Sequence, residues 1–268
     1  CRAEARRMAE FAVSDTGMGR ADHKEIKNLL AVERTPGTEE LTTQCITGDK
    51  GMTFIEYVPF GVIGSITPCT NPTSTIINHG IAMVAAGDSV VFGPHPAAVQ
   101  CTLDAIRTVN RAVVQAGGPP NLLTSIAEPS LRTAKILMTH PKIDLLVATG
   151  GASVVKAAMT SGKRTIAAGP GNPPVIVDET ADIPKAARDI IAGASFDNNM
   201  PCICEKECFP VQAIYDRLLV EMQNAGAYLI NQQHVEALTK ILVTEDGHPH
   251  RDYVGKSPQA ILNAIGLN

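Results

Sequence analysis

From Gly61 to Ala148 short apolar runs alternate with amphipathic stripes, and this rhythm constrains the fold more than any other feature of the chain. Val62 to Ile66 reads as a strand, followed by a helix with Ile77, Ile81 and Val84 on one face, then a strand from Ser89 to Phe92. A helix carrying Leu103, Ile106, Val109 and Val113, a strand Asn121 to Ile126, a short helix from Ser130 and a strand Ile143 to Ala148 continue the pattern. Strands separated by helix-length stripes cannot pair as hairpins. They predict parallel strands with crossover helices, hence an α/β fold built on an open, doubly wound sheet.

Other segments flank this unit. Two helical stretches precede it, the first with Ala5, Met8, Ala9 and Ala12 at three-to-four spacing. Extended runs Leu41 to Ile46 and Met52 to Val58 then flank the turn-rich Gly48-Asp49-Lys50-Gly51 and predict a hairpin arm. Beyond Gly169 a second unit is expected. It has a strand Val175 to Val177, a helix from Asp182 with Ile183, Ala187, Ile190 and Ala194 in line, a cysteine-bearing loop, and an extended run Glu207 to Ile214. A helix striped by Tyr215, Leu218, Leu219 and Met222 follows. Thr244 to Asn268 combine a polar turn with a short helix.

Composition narrows the function classes. A net charge of -4 over 268 residues leaves no basic footprint for nucleic acid or anionic lipid. The longest apolar passage, Ile76 to Gly93, is broken by His79 and Asp88 and falls short of the roughly 20 apolar residues of a membrane span. Seven cysteines without disulfide-scaffold density fit a reducing, cytoplasmic setting. Cys202, Cys204 and Cys208 lack both C-x2-C spacing and a nearby histidine, so no metal site is expected. The chain opens at Cys1 inside a helical pattern and reads as a fragment.

In open parallel sheets ligands bind outside the carboxyl ends of the strands, which directs attention to the loops after Ile66, Phe92 and Ala148. In Thr67-Pro68-Cys69-Thr70-Asn71-Pro72, Asn71 or Thr70 reads either as a helix cap or as a polar group aimed into a cleft to stabilise an oxyanion. Thr149-Gly150-Gly151-Ala152-Ser153 opens a helix where backbone N–H groups could meet a diphosphate, or where glycine simply allows tight packing. His95, between Pro94 and Pro96, reads as structural or as a nucleotide contact. In Asn198-Asn199-Met200-Pro201-Cys202-Ile203-Cys204 a thiol follows a proline, where a nucleophile would sit. A free cysteine is equally a small buried hydrophobe, and in an extended segment Cys202 and Cys204 would share a face, so alternation does not choose between them.

Taken in order, Gly61-Val62-Ile63-Gly64, Thr67 to Pro72, Val91-Phe92-Gly93-Pro94-His95-Pro96, Ala148-Thr149-Gly150-Gly151, Gly169-Pro170-Gly171-Asn172-Pro173-Pro174 and Phe196 to Cys202 resemble the CoA-acylating aldehyde dehydrogenases. The likeness is greatest to the propionaldehyde and acetaldehyde dehydrogenases of propanediol and ethanolamine utilisation, and it runs from about Cys1 to the carboxyl end. It implies an aldehyde dehydrogenase-like fold: a dinucleotide-binding domain of residues 1–40 and 59–169, an oligomerisation hairpin of 41–58, and part of a catalytic domain in 170–268.

The resemblance also implies Cys202 as nucleophile and Asn71, with the Cys202 backbone N–H, as oxyanion hole, Thr70 competing for that role. Ile66, Thr67, Pro68 and Cys69 would flank the nicotinamide of NAD. Pro94 and His95 lie where the hydrolytic branch has a ribose-binding lysine. Gly150, Gly151 and Val154 match the diphosphate turn, and Gly169 completes the cofactor set. Ala168 stands where hydrolytic members keep a glutamate base, which implies CoA as acyl acceptor and a short-chain aldehyde as substrate. A homo-oligomer, dimer or tetramer, and residence in a bacterial microcompartment, with its shell as partner, follow in the same way. The alternatives are a hydrolytic aldehyde dehydrogenase and a non-catalytic nucleotide-binding or assembly subunit.

Overall fold

A computed structural model describes residues 1–267. They form two compact units: Cys1–Thr16 with Lys24–Pro170, and Gly17–His23 with the chain from Gly171 onward. The elements run α1 (Ala5–Thr16), α2 (Ala21–Arg34), β1 (Gln44–Gly48), β2 (Gly51–Ile55), β3 (Val62–Ile66), α3 (Pro72–Ala85), β4 (Ser89–Gly93), α4 (Val99–Gln115), β5 (Leu123–Ser125), α5 (Leu131–Thr139), β6 (Leu145–Thr149), α6 (Ala152–Met159) and β7 (Thr165–Ala168). They continue with β8 (Pro174–Val177), α7 (Ile183–Ser195), β9 (Glu207–Pro210), α8 (Tyr215–Asn224), α9 (Gln232–Leu242) and α10 (Pro258–Asn263).

In the first unit five parallel strands lie in the order β5-β4-β3-β6-β7. The period-two alternation of strand side chains feeds two cores. Val90, Phe92 and Leu145 pack with Ile76, Ile77, Ile106 and Val109 from α3 and α4. Val91, Leu146 and Ala148 pack with Leu137, Met138 and Ala158 from α5 and α6. Helices therefore cover both faces, as the rhythm predicts. The expected strand 121–126 shortens to β5, while β7 and α9 are additions to the expected elements. β7 is the short edge strand Thr-Ile-Ala-Ala with Ile166 exposed, whereas α9 carries a helical stripe, Val235, Leu238, Ile241 and Leu242, although it buries none of its residues fully.

The strand order reverses between β3 and β6. Because all five strands are parallel, the loops after Ile66, Gly93, Thr149 and Ala168 leave from one edge of the sheet, and the switch point opens a crevice between two of them. β1 and β2 form an antiparallel ribbon closed by Asp49 and Lys50; it is shorter than expected at its open end, where it starts at Gln44 and stops at Ile55, reaches further into the expected turn, through Gly48 and Gly51, and is exposed along its whole length.

The second unit pairs β8 with β9 in parallel. Val177, Ile183, Ala187, Ile190, Ile214 and Leu218 form its core, which joins β8 to α7 and α8. Asp182 caps α7 by accepting from the Lys185 N–H at 3.2 Å. The expected extended run to Ile214 stops at Pro210, after which Gln212–Ile214 turn into a 3-10 helix.

Candidate active site

At the carboxyl edge of the first unit's sheet the structure gathers Ile66, Thr67, Pro68, Cys69, Thr70 and Asn71 after β3, Pro94 and His95 after β4, Gly150, Gly151 and Val154 at β6–α6, and Gly169 after β7. Thr67 donates its N–H to the Gly93 carbonyl at 3.1 Å, which ties the first two loops together. Its hydroxyl is buried and has no hydrogen-bond partner among the described residues. A buried orphan of this kind costs on the order of 1–3 kcal/mol, so its position at the switch point suits a ligand site. The side chain of Cys69 packs with Phe11 against Ala12, Ala98 and Cys101, and burial pushes its thiol pKa up. Cys69 is therefore packed inward, where burial disfavours its thiolate.

Asn71 occupies the N-cap position of α3 yet makes no capping hydrogen bond. Its amide oxygen instead accepts from Lys27 Nζ at 2.6 Å, and its Nδ2 donates to Thr70 Oγ1 at 3.2 Å. The capping role is thus unfilled and the amide is held by other groups. His95 shows the opposite outcome: its Nδ1 accepts from the Ala97 N–H at 3.1 Å and caps the short 3-10 helix Pro96–Ala98.

Gly151 is the N-cap of α6 without a side-chain cap, and a Cβ built there meets nothing within 4 Å. The helix thus starts into open space, as an anion at its positive end requires. The Gly150 N–H is already given to Ala168 O at 3.2 Å. An apolar hollow of about 270 Å³, lined by Val91, Ile126, Thr133, Ile136, Leu137, His140 and Ile143, lies beneath α5. No sequence pattern marks it, because its lining is scattered over β4, α5 and the loops after β5 and before β6.

Cys202 belongs to the second unit. After α7 the chain enters Asp197, Asn198 and Asn199 with φ of 48°, 55° and 58°. Three successive left-handed residues without a glycine are costly, about 1–2 kcal/mol each, although Asn and Asp bear it best. Part-buried hydrogen bonds hold them. The Asp197 N–H donates to His23 Nδ1 at 2.7 Å, and Asp197 Oδ1 accepts the Arg20 N–H at 2.7 Å. Asn198 donates to Gly255 O at 2.9 Å, and Asn199 Nδ2 donates to Ala194 O and Glu205 O at 2.6 and 3.0 Å. The His23 ring stacks on Phe196 at 4.5 Å.

Beyond this bend, Cys204 N donates to Pro201 O at 3.1 Å and closes a turn with Cys202 and Ile203 at its tip. The segment is thus a turn where an extended run was one expectation, and the two thiols separate. Cys202 is exposed; Cys204 is buried with Sγ 3.8 Å from Phe196 O. Lys206 Nζ gathers Asn199 Oδ1, Pro201 O and Cys204 O at 2.7, 3.3 and 3.4 Å. Gly171 passes so close that a Cβ there would run into the Cys202 carbonyl oxygen. No cluster of three or more metal-ligating side chains occurs among the described residues.

Residues 2–241 match the model of the aldehyde dehydrogenase family. An acetylating acetaldehyde dehydrogenase of Salmonella typhimurium is 50% identical over 270 residues, an alignment covering 98% of this chain and 58% of the relative. The structure of a propionaldehyde dehydrogenase from the fucose utilisation microcompartment of Clostridium phytofermentans superposes with a TM-score of 0.96 at 49% identity, covering all of this chain and 61% of that one. A Rhodopseudomonas palustris propionaldehyde dehydrogenase, solved with bound CoA and an acylated cysteine, gives a TM-score of 0.94 at 49% identity over 98% of this chain and 60% of that one. The chain thus spans about three fifths of the length of these relatives.

Proposed function

The chain belongs to the aldehyde dehydrogenase family, and from that premise we propose that it oxidises a short aliphatic aldehyde, propionaldehyde or acetaldehyde, to its acyl-CoA through a thioester on Cys202, with NAD as hydride acceptor. The observation that carries this reading is the exposure of Cys202 at the tip of a turn fixed on both flanks, while Cys204 two residues on is buried. The acylated cysteine and bound CoA of the Rhodopseudomonas relative support it.

In this reading the Cys202 thiolate attacks the aldehyde carbon, and the carbonyl oxygen becomes an oxyanion that Asn71 Nδ2–H and the Cys202 N–H stabilise. NAD, when bound, supplies the acceptor for the hydride that leaves the former aldehyde carbon. Thr67 and the loop residues Ile66, Pro68, Cys69, Pro94 and His95 would line the nicotinamide and ribose end. Gly151, with Gly150, Val154 and Gly169, would frame the diphosphate, and the hollow beneath α5 suits a flat base. Thiolysis then follows: the CoA thiolate adds to the thioester carbonyl, the bond to Cys202 breaks, and Cys202 leaves as thiolate. Water, with a pKa of about 15.7, needs a base to compete, whereas a thiol near 8.5 is already a few per cent ionised. The hydrolytic family members keep a glutamate base where this chain has Ala168, at the end of β7. CoA is therefore the acceptor.

On this reading residues 1–40 and 59–169 serve the dinucleotide and 170–268 the chemistry. The wholly exposed ribbon β1–β2, with Ile46 and Phe54 both 61% exposed, serves as an oligomerisation arm, because an isolated two-stranded ribbon is marginal in water. Residence in a bacterial microcompartment is proposed on the likeness to the Clostridium protein.

The test is NADH formation from propionaldehyde by the chain together with any sequence that flanks it in its gene. It should require CoA and vanish in Cys202→Ala. Equal rates without CoA, with propionate as product, would sink the acylating reading.

A further inference from the structure

α2 is buried through the wrong residues. Lys24 and Asn28 are 2% and 0% exposed, while Ile26 and Leu30 stand 52% and 57% in solvent. Burying a lysine costs free energy unless its ammonium is well partnered, and a helix selected for stability alone would bury its isoleucine and leucine. Departures of this sort gather where function demands them.

The buried stripe grips the loop after β3. Lys24 Nζ donates to the Thr70 carbonyl at 3.1 Å and Lys27 Nζ to Asn71 Oδ1 at 2.6 Å. Asn28 Oδ1 accepts from Thr73 Oγ1 at 2.8 Å, while its Nδ2 donates to Ala5 O at 3.0 Å and ties α2 to α1. An ammonium can only donate, so the atom that faces Lys27 must be the amide oxygen, and Nδ2 is turned the other way. A charged donor on the oxygen also draws electron density from the amide nitrogen and strengthens its N–H as a donor. Asn71 gives up the capping bond its position offers, so the amide is set for something other than the stability of α3.

We infer that Lys27, backed by Lys24 at the Thr70 carbonyl, is a positioning residue that fixes which end of the Asn71 amide donates, keeping Nδ2, one of whose two hydrogens goes to Thr70 Oγ1, turned away from α2, and strengthens its other N–H as an oxyanion donor. This rests on the proposed function, in which Asn71 faces the oxyanion.

The experiment is a double-mutant cycle on the protein with its flanking sequence: parent, Lys27→Met, Asn71→Ala and both together. It reads single-turnover NADH formation from propionaldehyde with CoA, and alkylation of Cys202 by iodoacetamide. Removing an oxyanion donor costs roughly 100- to 1,000-fold, so misaiming one should lower kcat by about 10- to 100-fold in Lys27→Met. Lys27→Arg, which keeps a donor, should recover most of that loss. In the Asn71→Ala background Lys27→Met should cost nothing further, because its effect passes through the missing amide. Alkylation is a displacement that develops no oxyanion and should proceed at the parent rate. Should Lys27→Met fail to fold, Lys27→Leu, which likewise has no donor, takes its place in the cycle. Additive losses, a kcat within twofold of the parent, or alkylation that falls in step with kcat would each overturn the inference. A parent that forms no CoA-dependent NADH overturns the functional reading, and the inference with it.

Discussion

The loop after β3 and the turn bearing Cys202 are both tied in place, and by different means. The first inherits its place from repetitive structure: a parallel strand ends at Ile66, prolines 68 and 72 restrict the backbone, and α3 begins at once. The second has no strand or α-helix through it, only the irregular 3-10 turn Phe196–Asn199. Its three left-handed residues, Asp197 to Asn199, are held by side-chain-to-backbone bonds from His23, Ala194, Glu205, Gly255 and Arg20. A sheet edge tolerates loss of one contact, whereas a strained bend held by individual polar ties does not. Substitutions in the bend should therefore cost far more, per hydrogen bond removed, than those at the edge.

The largest expected effect separates the two thiols of the turn. Cys202→Ala should lower CoA-dependent NADH formation by more than about a thousandfold while leaving thermal stability within a degree or so. Cys204→Ala should do the reverse and cost about 1 kcal/mol of stability in a denaturant titration, since it removes only a buried sulfur. Comparable loss of activity in both would erase the distinction between exposed nucleophile and buried filler.

Next comes Gly171→Ala. The new methyl must displace the Cys202 carbonyl, and a shift of about 1 Å in a reacting group lowers rates by roughly a hundredfold. Alkylation of Cys202 reads the same shift, and unchanged rates in both assays would show that the turn yields more easily than its bonds suggest.

Asp197→Ala should lower stability by about 2–3 kcal/mol, because it removes a fully buried side chain whose Oδ1 takes the Arg20 N–H beside the left-handed bend. Ser130→Ala at the capping box of α5, a surface feature of the sheet unit, should cost only about 1 kcal/mol. Urea midpoints at constant m-value compare the two directly, and a reversed order would break the contrast between strained bend and regular scaffold.

The sheet unit has its own acid limit. Burial lowers the pKa of His79 to about 4 from an ordinary value of 6.5, while its Nδ1 shares a hydrogen bond with Ser65 Oγ at 2.9 Å. The unfolded chain therefore binds a proton on this ring between pH 6.5 and 4 that the folded chain refuses, so stability falls as pH drops through that window. The ceiling is about 3 kcal/mol, at about 1.36 per pH unit. His79→Phe should flatten the pH dependence there, and an unchanged slope would assign the acid sensitivity elsewhere.

Periodicity along the chain determined a good deal. The alternation of Ile77, Ile81 and Val84 with Val90 and Phe92 already pointed to crossover helices on parallel strands, because apolar stripes of both periods must be buried and a helix between successive strands returns the chain to the same edge of the sheet. That in turn put Thr67 to Asn71 and Gly150-Gly151 at one edge. The short edge strand β7 is too brief to show a period, whereas α9 bears a readable stripe of Val235, Leu238, Ile241 and Leu242 that the expected elements omit. Periodicity also could not tell Cys202 from Cys204, nor show that Asn71 abandons its cap for Lys27. Those outcomes depend on where a turn closes and on which donor stands across from an amide. Both are set by contacts between residues as far apart in the sequence as 27 and 71 or 171 and 202. A side chain's neighbours along the chain fix its local period; its chemistry is fixed by neighbours that only folding supplies.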